Sequence, residues 1–84
     1  MFVLMADRTE PGWSGAVGTE IFDSIEQAEQ MMRKWARFGV DNYCSDPSRI
    51  WIADETGMVL KIWDWRLRAA VDLPQPKPAQ EGPA

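Results

Sequence analysis

The sequence predicts a single α+β domain: a four-stranded antiparallel sheet of order ββαββ with one helix packed on one face. One observation behind this prediction is a strongly amphipathic segment over residues 24–39. Another is the alternation of apolar residues on both sides of that segment, and a third is the length of 84 residues, which suits one domain. We assign residues 1–68 to this domain and residues 69–84 to a flexible, Pro-rich tail.

The first two strands are predicted over residues 2–6 and 16–22, which together form a hairpin. Residues 7–15 between them are predicted as a long loop, in which Pro11 and Gly12 suit the central positions of a type II turn. One face of the second strand is expected to carry Val17, Thr19 and Ile21.

The helix has clear start and stop signals. Ser24 is a good N-cap, and Gln27 three residues later completes a capping box. Gly39 suits the position just after the helix, where the backbone is left-handed. Apolar residues at spacings of three and four predict one buried stripe. The stripe consists of Ile25, Ala28, Met31, Met32, Trp35 and Phe38.

The second hairpin is predicted within "RIWIADETGMVLKIWDW", residues 49–65. A three-residue loop with Gly57 in the left-handed conformation pairs Ile52 with Leu60. The alternative register, with Ile52 opposite Lys61, mixes apolar and polar residues on one face and is rejected. With the isoleucines toward the helix, the other face receives the aromatic and basic residues. These are Arg49, Trp51, Lys61, Trp63 and Trp65.

That aromatic face is the main functional lead, because one helix covers only one side of a sheet. Exposed apolar patches mark interfaces, and Trp and Arg are frequent interface hot spots. Three alternatives stay open. In the first, basic side chains lie over the tryptophan rings and make cation–π contacts. In the second, the first loop or the tail covers the tryptophans. In the third, the tryptophans stack on the bases of single-stranded nucleic acid.

The chain is acidic, with a net charge of −4. An acidic protein repels nucleic acid at long range and is attracted to basic surfaces. This charge predicts a protein partner rather than nucleic acid. The acidic side chains assigned to partner binding are Glu20, Asp23, Glu26, Glu29, Asp54 and Glu55.

The sequence lacks the residue types that several kinds of catalytic and metal-binding site require. The chain has no histidine, which excludes Ser-His-Asp and Cys-His catalysis and removes the usual metal ligand. Cys44 is the single cysteine, so no intramolecular disulfide and no paired-cysteine zinc site can form. We therefore expect no enzyme activity, no metal and no cofactor. No segment has the apolar length of a membrane helix, and we expect a cytoplasmic protein.

The order of elements, "FDSIEQAEQM" (residues 22–31) and "DETGMVLKIW" (residues 54–63) resemble small acidic proteins of phages and mobile elements. This group includes some anti-CRISPR inhibitors, and the resemblance covers about residues 2–66. It implies a non-enzymatic inhibitor that occupies the nucleic-acid-binding surface of a bacterial defence complex, with acidic side chains standing in for phosphates. The competing hypotheses are a single-stranded nucleic-acid-binding module and a homodimeric structural protein.

Overall fold

The computed structural model describes residues 1–40 and 47–73. It has one helix and one antiparallel sheet of five strands, which confirms the α+β class and corrects the predicted strand number. The elements are β1 (Phe2–Glu10), β2 (Trp13–Phe22), α1 (Ile25–Phe38), β3 (Arg49–Asp54), β4 (Val59–Asp64) and β5 (Ala69–Asp72). The strands lie side by side in the order β2-β1-β3-β4-β5.

Strand β5 lies in the segment predicted as the start of the tail, so the domain boundary at residue 68 is wrong. The Asp64 carboxylate closes the turn before β5 by accepting the backbone N–H groups of Arg66 and Leu67, at 2.8 and 2.9 Å. Ala70 then packs against the core. A four-residue edge strand has too short a pattern to be recognised in the sequence. The rest of the predicted tail, residues 74–84, lies outside the described residues, as do residues 41–46 with Cys44.

The first hairpin has longer strands and a shorter loop than predicted. Glu10 pairs with Trp13, so only Pro11 and Gly12 form the loop. Gly12 has φ +83°, as the third residue of a type II turn requires. The polar residues here disfavoured a strand assignment, but they belong to a solvent-exposed extension in which β1 and β2 pair only with each other.

A bulge in β2 changes which residues share a face. Ala6 pairs with Gly18 and Asp7 with Ala16, which leaves Val17 unpaired. Val17 packs against the core, whereas Ile21 is 61% exposed. The prediction that these two residues share one face is therefore wrong.

The helix follows its predicted caps. The Ser24 hydroxyl accepts a hydrogen bond from the Gln27 N–H at 3.2 Å, and Gly39, at φ +84°, donates its N–H to the Trp35 carbonyl at 3.0 Å. The centre of the apolar stripe is buried, while Phe38 at its end is exposed. The core between helix and sheet consists of Leu4, Ala6, Ala28, Met32, Trp35, Val40, Ile50 and Ile52.

Candidate functional site

The second hairpin begins as predicted and then changes register. The Asp54 N–H donates to the Met58 carbonyl at 3.0 Å, and Gly57 has φ +91°. The Asp54 carboxylate accepts from Thr56 and the Met58 N–H, and the hydrogen bond from the Thr56 side chain is the main reason that its pKa is lowered. Asp54 therefore shapes the turn and is not a free anion for a partner.

A one-residue bulge at Leu60 breaks the predicted pairing. Ala53 pairs with Val59, but Ile52 then pairs with Lys61 and Trp51 with Ile62. The predicted pair of Ile52 with Leu60 is therefore wrong. Because side chains alternate along a strand, the bulge moves every later residue of β4 to the opposite face.

Lys61 is consequently on the helix side, not on the outer side as predicted. Its Nζ lies 2.8 Å from Glu29 Oε1 and 2.6 Å from Asp72 Oδ1. These hydrogen bonds, the one to Asp72 first, raise the pKa of Lys61. Glu29 is 20% exposed and also lies 3.8 Å from Arg33. Lys61 and Glu29 thus neutralise each other, and neither is available as the partner-binding residue that was predicted.

Replacing Lys61 with methionine should lower the free energy of unfolding by about 1–2 kcal/mol, because Glu29 loses its close partner. Asp72 contributes less to this cost because it is 79% exposed and can be hydrated. A raised pKa in the folded state means that the stabilisation is present at neutral pH and is lost as the pH rises through the folded-state pKa, above 10.5. Urea unfolding of both proteins should show the difference shrink there; a constant difference would contradict a role for the lysine charge.

Trp63 also lies on the helix side, where it packs against the core. Its Nε1 is buried and has no hydrogen-bond partner among residues 1–40 and 47–73. Its ring meets that of Trp65 edge to face, with centroids 6.3 Å apart. The predicted placement of Trp63 on the outer face is wrong, since the bulge turns it inward.

We call the side of the sheet away from the helix the outer face. Cross-strand partners share a face. This places on the outer face the apolar residues Val3, Met5, Ile21, Trp51, Ala53, Val59, Ile62 and Val71, and at its margins the polar residues Asp7, Thr19, Arg49 and Asp64. An apolar groove of about 480 Å³ runs over β3 and β4. Its walls include Trp51, Val59, Ile62, Trp63, Trp65 and Leu73. The sequence missed Ile62, because only the bulge turns its side chain to this side of the sheet.

Two tryptophans of the groove are held in place. Trp65 is 44% exposed, and its Nε1 donates to the Ser48 carbonyl at 2.9 Å. The Arg49 guanidinium lies 5.5 Å from the centre of the Trp51 ring, which agrees with the cation–π contact considered for this residue. Arg49 also makes a forked hydrogen bond to Asp7, and this bond lowers the pKa of Asp7. The groove therefore has a hydrogen-bonded Trp65 and a cation-contacted Trp51 in its walls, and at its edge an arginine that is paired with Asp7.

The remaining acidic residues of the prediction do not join the groove. Glu20 shares the helix side with its partner Leu4, and Asp23 and Glu26 are exposed around the start of α1. Glu55 is exposed at the β3–β4 turn, 3.3 Å from the N-terminal amine. The structure thus brings together Arg49, Trp51, Trp63 and Trp65 around one groove, and separates them from the acidic side chains assigned to partner binding.

Within the described residues, no group of three or more Asp, Glu, Cys or His side chains is placed to hold a metal ion. The helix of that same part of the chain is neither long nor apolar enough to cross a membrane. Comparison of the chain with protein-family models, with curated proteins and with solved structures finds no match in any of the three.

Proposed function

We propose that this chain is a non-enzymatic protein-binding domain whose outer face docks a protein, and that the protein is a second copy of the chain. The observation that carries the proposal is the apolar character of the outer face across all five strands. Ile21 at one edge is 61% exposed and Ile62 near the other is 38% exposed. Contiguous apolar surface of this kind is typical of a protein interface.

The charges near the groove favour protein over nucleic acid. A stacking platform for single strands needs cations free to contact phosphates. Arg49 is paired with Asp7, and Lys61 is on the opposite side, paired with Glu29. The net charge of −4 adds long-range repulsion of a polyanion. These features support an apolar protein partner and weaken the alternative of a single-stranded nucleic-acid-binding module.

The shape of the outer face suits a second sheet. Five strands spaced about 4.8 Å apart give a face roughly 24 Å wide, and strands of four to ten residues extend roughly 13–33 Å along it. The footprint of about 500–700 Å² approaches the roughly 800 Å² per partner of a standard interface. Two sheets packed face to face bury their apolar sides without further elements, and a two-fold axis makes one surface serve both partners.

We expect the protein to be a dimer in light scattering at micromolar concentration, and the Ile62→Glu variant to be a monomer. Adding salt should strengthen the dimer, because it screens the repulsion between two chains of charge −4. Binding of a basic partner or of nucleic acid would weaken with salt instead.

The matched control is Leu67→Glu, since Leu67 is 64% exposed but lies in the β4–β5 turn, outside the groove. This variant should dimerise like the unmodified protein. A monomer at every concentration would reject the second copy as occupant. A dimer that survives Ile62→Glu would place the contact elsewhere.

The inhibitory role implied by the resemblance stays a prediction. Docking through the outer face would leave the helix side of each copy free. Glu20, Asp23 and Glu26 are exposed there, with no ion pair to any described side chain. In the proposed dimer these acidic residues are the ones that would stand in for phosphates toward a basic protein.

A further inference from the structure

A basic pocket lies on the helix side, between the second half of α1 and the ends of β4 and β5. It has a volume of about 560 Å³. Its lining residues are Arg33, Ala36, Arg37, Trp63 and Arg68. We propose that this pocket binds the phosphate group of a small phosphorylated molecule whose apolar part contacts Trp63.

The three arginines of this pocket are paired weakly or not at all with the carboxylates of the described residues. Elsewhere Arg8 is paired with Glu10, and Arg49 with Asp7. Arg37 and Arg68, in contrast, have no carboxylate within 4.0 Å among the described residues, and Arg33 has only the 3.8 Å contact with Glu29. Within residues 1–40 and 47–73, three arginines from α1 and the β4–β5 turn thus line one pocket, and Glu29 is the one carboxylate that contacts any of them. A bound anion would neutralise the charge of these arginines.

Arg68 has a left-handed backbone conformation that is unfavourable for an arginine. Its φ is +55°, and it is the only non-glycine with positive φ in the described chain. Glycine or asparagine adopts this conformation at lower cost. Strain of this kind is often found at functional sites. Here the strained residue supplies one of the three guanidinium groups of the pocket.

Trp63 gives the pocket an apolar wall. The indole Nε1 is buried without a partner among the described residues, a rare condition in folded proteins. Beside it, the planar guanidinium groups match phosphate oxygens with two parallel hydrogen bonds. An apolar wall next to arginines therefore fits a phosphate ester better than a bare inorganic ion.

The volume of the pocket and the net charge of the chain both favour a small molecule as the ligand. The volume lies within the range of roughly 300–1,000 Å³ that is usual for small-molecule pockets. A nucleic acid would extend beyond the pocket onto a chain of net charge −4, which repels further phosphates. We therefore favour a compact phosphate ester over a nucleic-acid strand.

The test is an NMR titration of the ¹⁵N-labelled chain with phenyl phosphate, with sodium chloride at the same ionic strength as the blank. The Trp63 indole N–H signal, assigned by its loss in Trp63→Phe, should shift and reach saturation only with phenyl phosphate. A shift that does not saturate, or an equal shift in sodium chloride, would overturn the proposal. So would tighter binding of a short single-stranded oligonucleotide, which would assign the pocket to nucleic acid.

Two variants test whether phenyl phosphate binds in this pocket. Arg37→Gln and Arg68→Gly should each weaken binding about tenfold or more, since each removes charged hydrogen bonds to the phosphate. Arg68→Gly should not lower the melting temperature, because glycine accepts the positive φ. The control Lys34→Gln removes a cation of the same helix that does not line the pocket, and it should change binding less than twofold. Normal binding by Arg68→Gly would reject the site.

Discussion

Replacing Trp63 with alanine should lower the free energy of unfolding by about 3 kcal/mol. Trp63 packs against the core between helix and sheet, so the truncation leaves a cavity beneath α1. It also removes the edge-to-face contact with Trp65. The measurement is urea unfolding followed by far-UV circular dichroism, with the midpoint and slope fitted separately.

Two control variants separate the loss of core packing at Trp63 from the general effect of removing a tryptophan. Trp13→Ala removes a tryptophan that is 50% exposed at the tip of the first hairpin, and it should change stability by less than about 0.5 kcal/mol. Trp63→Phe keeps most of the ring and removes the unpaired N–H, so it should cost clearly less than alanine. If Trp63→Ala were as stable as Trp13→Ala, Trp63 would not be part of the core.

Replacing Gly18 with alanine should lower the free energy of unfolding by about 2 kcal/mol, through overpacking. A Cβ at this position would lie 2.8 Å from Val40 Cγ1 and 3.0 Å from Trp35 Cη2. Both neighbours are buried, and β-branched Val40 has little freedom to turn away. The helix end would have to move off the sheet, which thermal unfolding would record as a lower melting temperature.

Gly15→Ala is the matched control, because Gly15 lies in the same strand. Its Cβ would meet the Trp13 ring at 3.2 Å, but Trp13 is exposed and can rotate into solvent. We therefore expect a change of less than about 0.5 kcal/mol. Equal losses in the two variants would show that strand propensity, and not the contact with Trp35 and Val40, sets the cost at Gly18.

These results would also correct the choice of variants that the sequence suggests. On the sequence alone, Trp51 and Trp63 form one pair on one face, and a double replacement tests binding. In the structure both tryptophans line the groove, but Trp63 also packs against the core between helix and sheet. A loss of binding in the double variant would then reflect unfolding, whereas Ile62→Glu and its control Leu67→Glu test the outer face without removing a core residue.

The sequence by itself determined the features that depend on neighbouring residues. Ser24 and Gly39 fix the ends of the helix through hydrogen bonds within four residues. Pro11-Gly12 and Gly57 fix the two hairpin turns through backbone conformations that glycine adopts easily. The α+β class follows from the two periodicities of the apolar residues.

Only the tertiary structure decided which face of β4 carries which residue. The bulge at Leu60 inverts the alternation, because one extra residue turns every later side chain to the other side. The rejected pairing of Ile52 with Lys61 is tolerated because Glu29 of the helix and Asp72 of β5 neutralise the lysine. Those partners lie far along the chain from Lys61 or in a strand that the sequence did not predict. Local patterns cannot supply the energy of such long-range contacts, so the positions of Lys61 and Trp63 depended on the fold.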